Sequence, residues 1–152
     1  MAQTTSAVVF GNASWVGFST NGTTYADISG ISQSVEPAGF ELETAATYTS
    51  GTTTAIVTLG NFSPSEITIR ALYSETAGDF WTVLEAAYRA KTALKVAWAP
   101  RGNTSGYLHF ITGTGYISKL AAPGGEAAGA DPVATEFTVY APSVTPSTAA
   151  LT

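Results

Sequence analysis

Few residues in this chain combine a reactive side chain with a spacing that could support catalysis or metal binding. His109 is the only histidine among the 152 residues, and there is no cysteine. A zinc site takes several His, Cys or carboxylate ligands, and a Ser-His-Asp triad of the hydrolase type places its serine in a Gly-x-Ser-x-Gly turn. The chain has neither arrangement. His109 lies between Leu108 and Phe110 in a stretch typical of a strand, so we interpret it as a structural residue.

Two other patterns resemble functional motifs only superficially. Glu41 and Glu43 alternate along the chain, which would place both carboxylates on one face of a strand. No partner group accompanies them, and we interpret them as solvated. The stretch TGTGY, residues 112–116, has two glycines but no lysine and no predicted helix after it, so it lacks the parts of a phosphate loop. These observations favour a protein that is not an enzyme and needs no metal or cofactor.

The charged residues are sparse and unevenly distributed. They make up 11% of the chain, against about 25% in an average globular protein. Residues 1–69 contain five acids and no base, and all six bases lie between Arg70 and Lys119. The net charge of −5 disfavours a nucleic-acid-binding surface, which needs clustered Lys and Arg. Two interpretations remain open: random scatter on a weakly charged surface, or acidic and basic faces that meet in neighbouring copies.

Alternation of apolar and polar residues predicts a mainly β fold in one domain spanning residues 1–152. We place strands near residues 14–19, 24–34, 55–59, 67–73, 94–98, 107–120 and 133–142. Asn21-Gly22 predicts a tight turn between the first two strands, and the connector GNFSPS predicts a hairpin between the third and fourth. The strand over 107–120 is expected to bend at Gly113 or Gly115.

Three segments are predicted to extend from the body of the domain. We expect residues 1–13 and 143–152 to be extended arms. We expect residues 37–54 to form a long loop or arm, because Pro37 and Gly39 interrupt strand pairing.

One short stretch, DFWTVLEAAYRAK, predicts a single helix at about residues 77–90, with Thr76 as its N-cap. At 100° per residue its apolar side chains share one face. The predicted packing face consists of Phe80, Trp81, Leu84, Ala87 and Tyr88. Burial of this face would hold the helix against a sheet, so we expect a small β-sandwich with one flanking helix.

The N-terminus carries no basic segment followed by an apolar run, so no signal peptide is predicted. The sequence has no run of 18 apolar residues, and we expect no membrane insertion.

The order of these parts resembles that of major tail tube proteins of long-tailed, siphovirus-type bacteriophages. The resemblance rests on the stretch TLGNFSPSEITIRALYSETAGDFWTVLEAAYRAKTALKVAWAPRG, a hairpin followed by one helix and a strand ending in a Pro-x-Gly turn. The stretches WVGFSTNGTTYADISGIS, YLHFITGTGYISKLAAPGG and ATEFTVYAPSV also fit, so the similarity covers roughly residues 14–143.

The resemblance implies six copies in a ring, with one sheet of each subunit joined into a barrel around a lumen and rings stacked into a tube. It implies a location in the virion after assembly in the bacterial host cytoplasm. The partners would be further copies of the chain, a tape-measure protein, and tail-tip and terminator proteins. Phage DNA would pass without specific binding, since an acidic lumen repels phosphate. From the base-free first segment, we predict the lumen-facing acids to be Asp27, Glu36, Glu41 and Glu43.

Two alternatives remain open. Another virion structural protein, such as a capsid decoration or tail-terminator protein, could share these features. A carbohydrate-binding β-sandwich would use tryptophans as stacking platforms. By periodicity Trp81 and Trp98 lie on buried faces, which leaves Trp15 free to be exposed.

Overall fold

The computed structural model describes residues 10–11, 13–37, 39–51, 53–74, 76, 78–125 and 129–152. The described part of the chain is mainly antiparallel β-structure with one helix, as the alternation predicts. The elements in chain order are β1 Trp15–Ser19, β2 Ala26–Asp27, β3 Ser32–Pro37, β4 Leu42–Thr47, β5 Ile56–Phe62, β6 Ser65–Leu72, α1 Phe80–Ala90, β7 Lys95–Ala99, β8 His109–Thr112, β9 Tyr116–Leu120, β10 Ala134–Ala141 and β11 Val144–Ser147.

The strands form two larger sheets and one separate hairpin. The five-stranded sheet has the order β11-β8-β7-β1-β2, and the four-stranded sheet has the order β3-β6-β10-β9. Strands β4 and β5 pair only with each other among the named strands. Gly22, in the turn between β1 and β2, has a φ of 79°, a conformation that suits the predicted Asn-Gly turn.

The larger of two apolar clusters joins the two larger sheets to the helix. Alternate residues of β6 are buried: Ile67, Ile69 and Ala71 face inward. On the neighbouring strand β10, Val139 pairs with Ile67 and Phe137 with Ile69, and both are fully buried. The five-stranded sheet contributes Val16, Phe18, Val96 and Trp98 to the same core. Burial of each large side chain stabilises the fold by about 1.5–3 kcal/mol.

The helix begins at Phe80, three residues later than predicted. Gly78 has a positive φ of 89° and Asp79 is extended, so the chain enters helical geometry only after Asp79, which is the N-cap. The Thr76 prediction is therefore wrong: its carbonyl accepts a hydrogen bond from Asp79 N at 3.0 Å in the preceding turn. The helix ends at Ala90, and the left-handed conformation of Lys91 after it (φ 53°) lets Thr92 N donate to Ala87 O at 2.8 Å.

The packing face of the helix is narrower than predicted. Phe80, Leu84 and Ala87 are buried in the core, and half-buried Trp81 packs against it, edge-to-face with Tyr73 at 5.6 Å. The prediction that Tyr88 belongs to the packing face is wrong, since this residue is 45% exposed. It lies at the margin of the apolar stripe, beside β9, where the second sheet ends.

The predicted hairpin between the strands at 55–59 and 67–73 does not form. Strand β6 pairs with β3 on one side and β10 on the other, so both of its edges are occupied. Strand β5 pairs with β4 instead. Ser63 and Pro64 connect β5 of the separate hairpin to β6 of the four-stranded sheet and do not close a turn between paired strands.

The predicted long strand over 107–120 is two strands in different sheets. β8 belongs to the five-stranded sheet and β9 to the four-stranded sheet, and the glycine steps lie between them. A Cβ at Gly115 would lie 2.4 Å from Tyr140 O, so only glycine fits where the chain crosses between sheets.

The predicted arms have different outcomes. Residues 143–152 are not a free arm, because β11 pairs with β8 and Tyr25 N donates to Thr152 O at 2.8 Å. The segment 37–54 contains β4 and part of its turn to β5. Of the N-terminal arm, residues 1–9 and 12 lie outside the described residues. No helix of the described chain is long and apolar enough to cross a membrane.

Candidate functional site: exposed surfaces for assembly

The hairpin of β4 and β5, which we call the arm, exposes an unusual amount of apolar surface. Its large apolar side chains are between 42% and 69% exposed. They are Phe40, Leu42, Tyr48, Ile56, Val57, Leu59 and Phe62. Every residue of both strands is exposed, so neither face of the arm packs against the body. An isolated two-stranded hairpin is marginally stable in water, and large exposed apolar patches are typical of interaction surfaces.

The root of the arm contacts the body through Phe40, whose ring lies 6.3 Å from that of Phe110. A hydrogen bond from Ser63 N to Glu41 O at 2.9 Å closes the hairpin at this root. A Cβ at Gly60 would lie 3.0 Å from Glu43 Cβ, so the strands approach closely at an irregularity in their register. The root is anchored while the rest of the arm projects.

A mainly apolar cleft of about 590 Å³ lies between the arm root and the five-stranded sheet. Phe40 and Phe62 line it from the arm, and Val144 and Pro146 line it from β11. The rest of its lining is polar: Glu41, Ser63, Ser65, Ser143 and Thr145.

The four predicted lumen acids lie on three different sheets. Asp27 lies in β2, where its carboxylate accepts hydrogen bonds from Ser29 N and Oγ at 2.8 and 2.5 Å. Glu36 is exposed on β3 of the four-stranded sheet. Glu41 and Glu43 are exposed at the root and first strand of the arm. All four are solvent-accessible, but the fold does not gather them on one surface.

The exposed face of the four-stranded sheet holds charges that sequence analysis did not select. In cross-strand register, Glu36 pairs with Thr68, Glu66 with Tyr140, and Glu136 with Arg70. Lys119 Nζ lies 3.4 Å from Glu136 Oε1. This face therefore carries the three acids Glu36, Glu66 and Glu136 and the two bases Arg70 and Lys119. The alternation of Glu66 with buried Ile67 was the signal that could have identified Glu66.

The outer face of the five-stranded sheet is covered. Trp15, Ala97 and Ala99 form a second buried cluster, against which Tyr25, Ile111 and Leu151 pack. The rings of Trp15 and Tyr25 meet edge-to-face at 6.1 Å, and burial raises the pKa of the Tyr25 phenol. The expectation that Trp15 is free to be exposed is wrong, since it is only 8% exposed.

The tryptophan positions weigh against a sugar-binding platform. Trp98 is buried and stacks on Phe110 at 5.5 Å, and Trp81 packs against the core from the helix. Trp15 and Trp98 are buried and Trp81 is half-buried, so none of the three is a fully exposed platform.

His109 is fully buried in β8, and neither ring nitrogen has a hydrogen-bond partner within the described structure. No three His, Asp or Glu side chains among the described residues are placed to hold a metal ion. The geometry at His109 is that of a packed strand residue.

The fold has counterparts among tail and injection-system proteins. A chain of the anti-feeding prophage tube-terminating cap matches 98% of this chain and 97% of its own length, with a TM-score of 0.71 and 14% identity. A chain from the sheath–tube complex of the extracellular contractile injection system PVC, in the extended state, covers 89% and 88%, with a TM-score of 0.67 and 14% identity. A chain from the C6-symmetric tail of an empty gene transfer agent (GTA) particle covers 92% and 98%, with a TM-score of 0.64 and 12% identity.

No protein-family model and no curated protein sequence matches the chain. The structural matches include contractile systems, so the tail-tube-like fold is shared more widely than the long-tailed phages to which the sequence was compared. The fold is tail-tube-like, and identities of 14% or less among these matches make it a likeness of fold alone.

Proposed function

We propose that this chain is a structural virion protein that assembles as hexameric rings and stacks them into a phage tail tube, the conduit for DNA ejection. The observation that carries the proposal is the exposed apolar arm of β4 and β5. The likeness of this chain's fold to chains from a sheath–tube complex and a C6-symmetric tail supports the same assignment.

The arm is the element that would connect copies. Seven large apolar side chains on it are exposed, and burial of each against another copy would contribute about 1.5–3 kcal/mol before the entropy of ordering. Because the arm projects from an anchored root, it is suited to reach a neighbouring subunit in the next ring. Packing in the assembly would also stabilise a hairpin that is marginal alone.

The four-stranded sheet would line the lumen. One of its faces packs on the core and the other is exposed, whereas the outer face of the five-stranded sheet is covered. Of the four acids predicted to face the lumen, we retain Glu36 and add Glu66 and Glu136. A wall with more acids than bases repels phosphate and does not hold DNA. Asp27, Glu41 and Glu43 would lie outside this wall.

The remaining partners follow from the tube assignment. We propose a tape-measure protein in the lumen before ejection, and tail-tip and terminator proteins at the ends. DNA would pass through without specific binding. Assembly would take place in the cytoplasm of the bacterial host.

A tail terminator is the second candidate. Two of the structural matches are terminating proteins, with TM-scores of 0.71, each covering at least 97% of this chain. A terminator would form a closed ring that does not add a further ring. The two functions therefore differ in whether the purified chain forms filaments.

The experiment is negative-stain electron microscopy with sedimentation velocity across a concentration series, with tail-initiation components added in a parallel series. A tube protein gives stacked hollow rings, and a terminator gives single rings. In the variant V57S/L59S/F62S, stacking should be lost while circular dichroism is unchanged. The matched control is Val133→Ser, an exposed apolar residue outside the arm. A chain that stays monomeric in both series, or a triple variant that stacks normally, would overturn the proposal.

A further inference from the structure

We infer that Asn21-Gly22 is a latent deamidation site, and that the folded turn protects it by holding both reacting groups in hydrogen bonds. It is the only Asn-Gly pair in the chain. In this reaction Gly22 N loses its proton and bonds to Asn21 Cγ, which closes a succinimide ring, and the side-chain nitrogen takes up a proton and leaves as ammonia. Water then opens the ring to aspartate or isoaspartate. The protection belongs to the single folded chain and does not depend on assembly.

The conformation of the turn between β1 and β2 explains why so reactive a pair stands here. Gly22 has a φ of 79°, a left-handed conformation that glycine adopts without steric cost. The missing Cβ also leaves the Gly22 nitrogen open to the approach of Asn21 Cγ, so asparagine cyclises more readily before glycine than before a residue with a side chain. The turn therefore requires a pair that is chemically susceptible.

The nucleophile of the reaction is held by Ser19. Gly22 N donates to Ser19 Oγ at 2.9 Å, and Ser19 is only 2% exposed at the end of β1. Cyclisation begins when a base from solvent removes the proton from Gly22 N. While that proton points at a buried hydroxyl, it is shielded from solvent bases. Because a neutral hydroxyl is too weak a base to take the proton itself, the nitrogen remains an unreactive peptide amide.

The Asn21 carboxamide is held at its oxygen. Asn21 Oδ1 accepts hydrogen bonds from Thr23 N and Thr24 N, both at 2.9 Å. The hydroxyls of Ser19 and Thr23 donate to the same oxygen at 2.9 and 3.2 Å. Since all of these partners are donors, the network fixes which end of the amide is the oxygen. Turning the carbonyl carbon toward Gly22 N for ring closure would move the oxygen away from these donors.

Ser19 restrains both reacting groups at once. Its hydroxyl accepts a hydrogen bond from Gly22 N and donates one to Asn21 Oδ1. Hydrogen bonds to Oδ1 also polarise the carbonyl, which taken alone would favour attack. The restraint outweighs this effect, because a polarised carbon reacts no faster until the nitrogen has lost its proton. Local opening of the turn therefore controls the rate of deamidation.

Isoaspartate is the product that would damage the fold. It adds a methylene carbon to the backbone between β1 and β2, whose register sets Phe18 opposite Ala26. Phe18 is 3% exposed in the core, so a shift of this register would disturb buried packing. Aspartate, in contrast, keeps an oxygen acceptor for Thr23 N and Thr24 N. Protection of the turn therefore preserves the core strand β1 over the lifetime of the protein.

The test follows the conversion of Asn21 by peptide mass spectrometry at mildly alkaline pH, at a protein concentration too low for assembly. In the folded chain Asn21 should convert at least about tenfold more slowly than in the same chain unfolded in guanidinium chloride, because several hydrogen bonds must break first. Asn61 and Asn103 serve as internal references. They precede Phe62 and Thr104, whose side chains hinder cyclisation.

Two variants loosen the turn to different extents. Ser19→Ala removes one hydrogen bond from each reacting group and should speed the conversion of Asn21 about fivefold or more, with the reference asparagines unchanged. Thr23→Val removes only the hydroxyl contact at 3.2 Å and should give a smaller rise, about twofold. The matched control is Thr20→Ala, an exposed neighbour in the same turn. Circular dichroism verifies that each variant folds.

The outcomes decide the inference in either direction. A rise at Asn21 alone in the folded Ser19→Ala variant supports it. Conversion of Asn21 in the folded unchanged chain as fast as in the unfolded chain would overturn it, and so would a folded Ser19→Ala variant no faster than Thr20→Ala. If Ser19→Ala does not fold, Thr23→Val decides: a rate above that of the control supports the protection, and an equal rate overturns it.

Discussion

Asn103 and Leu151 exchange two hydrogen bonds although they are 48 residues apart in the chain. Asn103 Nδ2 donates to Leu151 O at 2.7 Å, and Leu151 N donates to Asn103 Oδ1 at 2.8 Å. Leu151 packs on the cluster of Trp15, Ala97 and Ala99. One side-chain amide therefore holds the final segment against the outer face of the five-stranded sheet.

We predict that Asn103→Ala lowers the free energy of unfolding by about 1–2 kcal/mol, because both Leu151 backbone groups lose their partner. Urea unfolding would measure this, and hydrogen exchange at Leu151 should accelerate by more than the global change requires. The control is Thr104→Ala, an exposed neighbour. Slow exchange at Leu151 in the Asn103 variant would show that other contacts hold the segment.

Gly17→Ala should disturb the packing of Trp15. A Cβ at Gly17 would lie 2.7 Å from two ring carbons of Trp15, and 3.1 Å from Ala26 O. The indole must move, so we expect a loss of about 1–3 kcal/mol and a shift in tryptophan emission.

Gly30→Ala is the matched control for this substitution, because nothing lies within 4 Å of the added Cβ. It should be neutral or stabilise the protein slightly. Equal unfolding free energies for the two alanine variants would contradict the close contact between Gly17 and Trp15.

Many of the strands could be predicted from the sequence, but β4, β11 and the strand partners could not. Period-two alternation identifies β6 correctly, with Ile67, Ile69 and Ala71 inward. The same alternation in β5 does not indicate which strand pairs with it. The short connector between β5 and β6 favoured a pairing of these two strands, which is wrong. Pairing depends on which edges remain free in the complete sheet, and only the fold determines that.

The candidate assembly surfaces were predicted only in part. The absence of bases before Arg70 pointed to acidic residues, yet it grouped Asp27 with Glu36 although they lie on different sheets. Glu136, late in the chain, comes onto the same face as Glu36 because β10 and β3 flank β6. Such neighbours are set by the strand order of the sheet, which cannot be deduced from the order of charges along the chain.

Two residues of the predicted helical face, Leu84 and Tyr88, should respond differently to truncation. Leu84 is fully buried, so Leu84→Ala leaves a cavity and should lower the free energy of unfolding by about 2–5 kcal/mol. Tyr88→Ala should change it by less than about 1 kcal/mol, because much of the ring is already in water.

Thermal unfolding at a concentration too low for assembly compares the two variants within one fold. A Tyr88 variant as unstable as the Leu84 variant would mean that the periodicity-based packing face is correct and the exposure of Tyr88 is not.

The buried His109 gives a prediction in the opposite direction. Among the residues that the structure describes, neither ring nitrogen has a hydrogen-bond partner, and an unpaired buried polar atom costs free energy. His109→Leu replaces the ring by an apolar side chain of similar size and should raise the free energy of unfolding by about 1 kcal/mol. His109→Ala removes the same nitrogens but leaves a cavity, so it should lower the free energy by about 2 kcal/mol. Urea unfolding of the two variants therefore separates the effect of removing the polar nitrogens from the effect of losing side-chain volume. If leucine destabilises as much as alanine, the imidazole makes a specific polar contact in β8.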